Sequence, residues 1–185
     1  MMVDRRAMVL AGAAALAAPP AFAQGVVPGA TDPRPQTYAL SNQAAPPFDL
    51  EKLGGGRARL SDYRGRALIL YWWGLWCPDC LADGAYTASL VRQAQAVEGL
   101  SFLAIHTRGR FGRWGSVPRY FEERGYSWPV AFEHGRDFAR NVYQIGWFPT
   151  YLVIDRQGVI RHWRTDLGAA GGDGLLAQAR ALARG

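Results

Sequence analysis

The chain has 185 residues and a formal net charge of +6, and 49% of its residues are apolar. That is long enough for one domain with a real core. The basic charge is almost all arginine, with Lys52 the only lysine, and the arginines are spread along the chain. A solvated basic exterior explains this better than a nucleic-acid surface.

Residues 1–23 read as an export signal. Arg5 and Arg6 give a twin-arginine start, an apolar run follows from Ala7 to Ala18, and Ala21-Phe22-Ala23 fits a small-x-small cleavage site. The mature chain would then begin at Gln24. The twin arginine and weakly apolar core point to the Tat route rather than Sec. The run is short for a membrane span and Pro19-Pro20 breaks it, though an uncleaved N-terminal anchor is the alternative. Residues 24–47 are rich in Pro, Ala, Gln and Thr. We place a linker over 24–44 and the folded domain over 45–185.

Phe48-Asp49-Leu50 and Arg57-Ala58-Arg59-Leu60 flank Gly54-Gly55-Gly56, which predicts a hairpin. Ser61 to Gly65 is a turn. Ala67 to Trp73 is a continuous apolar run, suited to a strand buried on both faces. A helix is expected from Cys77 to about Val97, loosened early by Gly84 and ended by Gly99. Leu100 to Ile105 is a second buried strand, and His106 to Gly115 a Gly/Arg-rich loop. Ser116 caps a helix with Pro118 in its first turn, ending before Gly125. Trp128 to Phe132 is a short strand and Asp137 to Tyr143 a short helix. Thr150–Ile154 and Val159–Trp163 form a hairpin around Asp155-Arg156-Gln157-Gly158. Leu175 to Ala183 is a terminal helix. Alternating helices and buried strands predict an α/β sheet covered on both faces.

The only two cysteines lie in Trp76-Cys77-Pro78-Asp79-Cys80, between the apolar strand and the helix. Two thiols at this spacing suggest a dithiol/disulfide couple. Cys77 would sit at the helix N-terminus, where unpaired N–H groups and the helix dipole favour a thiolate. Cys80 would sit one turn in, able to close a ring and release a bound partner. A zinc site would need more ligands, and His106, His134 and His162 are scattered. As a purely structural staple, so short a loop would contribute little.

These residues, with Ala45-Pro46-Pro47-Phe48-Asp49-Leu50, Leu60-Ser61-Asp62-Tyr63-Arg64-Gly65, Ile145-Gly146-Trp147-Phe148-Pro149-Thr150 and Val153 to Ile160, resemble exported thioredoxin-like proteins of the TlpA/ResA/CcmG type. The resemblance covers about residues 44–185. It implies a thioredoxin fold, a central mixed sheet flanked by helices, with an added N-terminal β-hairpin. It implies a cis Pro149 beside a Cys77–Cys80 disulfide, which would let the Phe148 backbone offer an edge to an extended substrate.

The resemblance assigns Cys77 as nucleophile and Cys80 as resolving thiol. Several family members carry a glutamate where Asp83 stands, thought to manage protons on the second thiol. Asp83 is one methylene shorter, so it is either that base or a plain surface acid. Thioredoxin's buried strand aspartate is replaced by Tyr71. Trp76 and Trp147 are expected to flank the disulfide, and with Phe148, Pro149 and Thr150 to bind substrate. His106 follows a strand and could approach the site, but a lone loop histidine is more often a bystander.

The implied activity is periplasmic thiol–disulfide exchange, with reduction the preferred direction and no cofactor or metal. The implied partners are disulfide-bearing or dithiol proteins and a membrane electron donor, with the chain itself a monomer. Export would place the pair in an oxidising compartment where it can cycle. A DsbA-like oxidase or isomerase is the alternative, because Cys-Pro-x-Cys occurs in both directions of chemistry. A non-catalytic binding module is another. Thr150 replaces the glutamate usual after the cis proline in the CcmG-type branch. Gly74 stands where a peroxiredoxin would have threonine, three residues before the reactive cysteine.

Overall fold

The computed structural model describes residues 37–107, 111–133, 138–165 and 168–185, with the side chains of 112 and 168–173 outside the description. The signal and most of the linker expected from sequence lie outside these residues. Seven strands form one mixed sheet: β1 (Asp49–Lys52), β2 (Arg57–Arg59), β3 (Ala67–Trp73), β4 (Leu100–Thr107), β5 (Val130–Glu133), β6 (Thr150–Ile154) and β7 (Ile160–Arg164). Their order is β2-β1-β5-β4-β3-β6-β7, with β3, β4 and β5 parallel and the other pairings antiparallel. The α-helices among the described residues are α1 (Pro78–Ala82), α2 (Gly84–Gln95), α3 (Val117–Arg124) and α4 (Gly168–Arg184). No described helix is long and apolar enough to cross a membrane.

Every residue of β3 is buried. Because strand side chains alternate, its seven apolar residues supply two cores at once. Ile69, Tyr71 and Trp73 pack with Leu90 and Val91 of α2, Tyr120 of α3 and Leu176 of α4. Leu68, Leu70 and Trp72 pack on the other face with Phe48, Leu103, Tyr143 and Leu152. The parallel strands β3, β4 and β5 end together, which gathers Trp73, His106, Thr107 and Glu133 at one edge. The turn after β3 carries the cysteines over that edge, where open α/β sheets place their sites.

Four expectations change. The helix expected over Cys77–Val97 is two helices, broken at Asp83. The segment expected as linker already joins the domain at Tyr38, which is buried and donates to the Tyr143 carbonyl. Asn42 and Gln43 also exchange backbone bonds with Ile160, so this arm covers the β7 edge. His106 is no loop residue: β4 runs on to Thr107. The last helix begins at Gly168 rather than Leu175, because four glycines in 168–174 hide it from an apolar pattern.

Candidate active site

Cys77 is the N-cap of α1, directly after the Gly74–Trp76 turn. Its N–H donates to the Gly74 carbonyl at 3.1 Å. Its Sγ accepts from the Cys80 N–H at 3.1 Å, so a first-turn donor points at the sulfur. Pro78 opens the helix with a fixed φ and no N–H to satisfy. The cysteines form a disulfide with Cα atoms 5.3 Å apart.

Both cysteines are buried, yet they differ in access. Cys77 lines a 290 Å³ cleft, whereas Cys80 does not border it and is packed in the core. Trp76, Pro78 and Asp79 form the cleft on the cysteine side. Ala139 and Arg140 come from a single π-helical turn, Phe138–Val142, and Ile145 to Phe148 come from the loop before β6. Trp147 is 41% exposed. Trp76 is held from two sides: its indole N–H donates to the Thr107 carbonyl at 3.1 Å, and its ring meets Phe148 edge-on at 5.1 Å. The Phe148–Pro149 bond is cis.

Thus Trp76, Cys77, Trp147 and Phe148 converge on the cleft. Pro149 and Thr150 are buried and do not border it. The Thr150 hydroxyl donates to the Trp147 carbonyl at 2.7 Å, so it braces the loop.

Asp83 is 7% exposed, which removes the surface-acid alternative. It sits at the break between α1 and α2, where its carbonyl accepts from the Thr87 N–H at 2.8 Å and from Thr87 Oγ1 at 3.1 Å. Thr87 Oγ1 also lies 2.8 Å from the Tyr151 hydroxyl, which hydrogen-bonds that of Tyr71. Burial first, and the Asp83 carboxylate as a further cause, push both phenols far above their ordinary value. Among the described residues, no three His, Cys, Asp or Glu side chains converge to hold a metal ion.

Residues 41–163 match the model of the AhpC/TSA family. The thiol–disulfide oxidoreductase ResA of Geobacillus kaustophilus is 32% identical over 126 residues, covering 68% of this chain and 70% of that protein. The chain belongs to this family. Within it, this protein is a thioredoxin-like thiol–disulfide oxidoreductase of the TlpA/ResA/CcmG type. ResA of Geobacillus thermodenitrificans is 30% identical over 128 residues, 68% of this chain and 70% of that one. The fold is shared with the thioredoxin domain of a thiol–disulfide oxidoreductase from Bacteroides vulgatus. That structure has a TM-score of 0.63 at 19% identity, covering 75% of this chain and 97% of that one.

Three features of this oxidoreductase escape a reading of its sequence. Tyr71 and Tyr151 are register partners on β3 and β6, and their rings stack at 4.2 Å. Only strand register could reveal that pair, and register is not written locally. Arg140 reaches the cleft from the π-helical turn Phe138–Val142, and the short helix expected over Asp137–Tyr143 does not say which side chain it turns toward the cysteines. His106, fully buried, accepts from the Leu75 N–H through Nε2 at 3.2 Å.

Proposed function

We propose that this oxidoreductase is a periplasmic disulfide reductase working through Cys77 and Cys80. The observation that carries the reading is the unequal access of the two sulfurs, with Cys77 on the cleft and Cys80 sealed in the core. In the reduced protein, the Cys77 thiolate attacks one sulfur of a substrate disulfide. A mixed disulfide forms and the other substrate sulfur leaves as a thiolate, which takes up a proton. Asp83 accepts the proton of Cys80, whose thiolate then attacks Cys77 Sγ. The second substrate thiolate leaves and is protonated in turn. The substrate gains two electrons, and the enzyme is left with the Cys77–Cys80 disulfide. A dithiol donor at the membrane restores the reduced pair.

Trp76, Trp147 and Phe148 hold an apolar stretch of the substrate, and the backbone at Phe148 pairs with it. Pro149 shapes that edge and Thr150 braces it. Residues 1–23 direct export and are cleaved after Ala23, and the mature protein is a monomer. Gly74 occupies the place of a peroxidase threonine, so peroxide reduction is not the reading favoured here.

Reduction of insulin disulfides, with dithiothreitol as donor, tests the proposal. Cys77→Ala abolishes turnover, Cys80→Ala accumulates the mixed disulfide, and Asp83→Asn slows its resolution. Insulin reduction retained by Cys77→Ala refutes the mechanism. A redox titration followed by tryptophan fluorescence tests direction. A potential near roughly −270 mV fits a reductant, and one near roughly −120 mV overturns that direction in favour of an oxidant.

A further inference from the structure

The end of β4 touches the cysteine turn at two successive residues. His106 Nε2 takes the Leu75 N–H at 3.2 Å, and the Thr107 carbonyl takes the Trp76 indole N–H at 3.1 Å. Leu75 and Trp76 are the last two residues before Cys77. A backbone N–H only donates, so Nε2 must accept, and the imidazole is therefore neutral. The ring is fixed in place. Phe111 stacks on it at 5.4 Å, Trp73 meets it edge-on at 5.1 Å and Phe132 closes in at 5.8 Å. Its residue is 0% exposed. A histidine buried among aromatics, with its acceptor aimed at one backbone amide, does more than fill space.

We propose that His106 is a positioning residue for the redox centre. By holding the Leu75 amide it presets the turn that places Cys77 at the start of α1. It also keeps Trp76 within reach of both the Thr107 carbonyl and Phe148. His106 thus acts through Leu75 and Trp76 on two properties of the site: the stability of the Cys77 thiolate and the cleft wall that receives substrate. Without this tether, Cys77 samples positions away from the Cys80 N–H, and the thiolate loses part of its stabilisation. A couple whose reduced form is less stabilised shifts toward the disulfide. This inference rests on Cys77 being the reactive sulfur.

The test compares three proteins: wild type, His106→Phe, which keeps an aromatic ring and removes the acceptor, and His106→Gln, which restores an acceptor oxygen. Each is equilibrated with glutathione, and alkylation of Cys77 by iodoacetamide is followed against pH. His106→Phe is expected to shift the equilibrium about tenfold toward the disulfide, about 30 mV for a two-electron couple. Its alkylation profile moves to higher pH, and His106→Gln recovers most of both changes. Should His106→Phe not fold, His106→Asn, whose amide is too short to reach Leu75, takes its place.

A variant with lowered melting temperature but an unchanged equilibrium and alkylation profile overturns the proposal. So does an equal shift in the Phe and Gln variants. Hydrogen exchange in the wild-type protein gives an independent check: a Leu75 amide exchanging as fast as open loop amides also overturns it. A wild-type protein with no reversible couple would instead remove the reading on which the inference stands.

Discussion

Replacing Tyr151 by phenylalanine tests whether the buried hydroxyls of Tyr71, Tyr151 and Thr87 act as one unit. Tyr71 and Tyr151 are at most 1% exposed and their rings are nearly parallel, 7° apart. Phenylalanine keeps that stack and deletes one oxygen. Thr87 Oγ1 then loses its 2.8 Å neighbour but keeps its bond to the Asp83 carbonyl. The Tyr71 hydroxyl loses a partner where the protein is dry. Leaving such a group short of a partner costs about 1–3 kcal/mol. For a chain of this size each kcal/mol is about 2–4 °C of melting temperature, so the expected fall is roughly 2–12 °C. Thermal unfolding of the oxidised protein, followed by circular dichroism, measures it. The sharper test is the double variant Tyr71→Phe with Tyr151→Phe. Removing both hydroxyls leaves neither stranded, so the pair costs less than the sum of the single changes. Strict additivity would refute the coupling. A single-variant loss below about 0.5 kcal/mol would place Tyr151 among ordinary surface-like substitutions and refute the burial argument.

Gly74→Ala probes the turn itself: a Cβ there would fall 2.7 Å from Trp76 Cε2 and 2.9 Å from its Cδ1. The indole must leave the Thr107 carbonyl, so kcat/KM for insulin is expected to fall about tenfold, the equivalent of about 1.4 kcal/mol. Unchanged kinetics and tryptophan fluorescence would show that the indole position is immaterial. At the other end of β6, burial raises the Asp155 carboxyl, but N–H bonds from Val159 and Gln157 and the Arg161 guanidinium outweigh it and hold it below its ordinary value. A folded-state pKa below the unfolded one, about 3.9, contributes stability that is present above the unfolded value. It is lost as pH falls through the lowered folded value. The stability difference between wild type and Asp155→Asn, from urea unfolding, should therefore be constant near neutrality and shrink in acid below about pH 4. A difference that grows with acid contradicts the sign.

The legible parts of this molecule are those encoded by local pattern. Seven apolar residues in a row could hardly be anything but a central strand, and Ser116 with Pro118 marks the start of α3, where Ser116 Oγ takes the Arg119 N–H. Cys77 and Cys80 identify themselves by type and spacing. What stayed hidden depends on register and on long-range closure. Asp83 is buried by long-range packing, in which the adjoining Thr87 of α2 meets the Tyr151 hydroxyl of β6, and nothing within a few residues of Asp83 says so. His106 follows Ile105 into a Gly/Arg-rich stretch, and its strand character comes from pairing with Trp73 of β3 on one side and Phe132 of β5 on the other. The same pairing turns its ring into the core.

The break at Asp83 has a cause that links these two kinds of information. Gly84 reads from sequence as a weak point in one long helix. In the fold, a Cβ at that position would lie 2.6 Å from the Tyr120 hydroxyl and 2.9 Å from Tyr126 Cε2. Glycine is therefore there because α3 and the strand approach after it press against the chain, and any side chain would hold them off. That close approach lets the helix change course one turn past Cys80. The change of course places Asp83 indoors, beside the Tyr71 and Tyr151 hydroxyls. Tyr71 occupies the strand position that holds a buried aspartate in thioredoxin. A buried acid stands instead at the junction of two helices, next to a residue with no side chain at all.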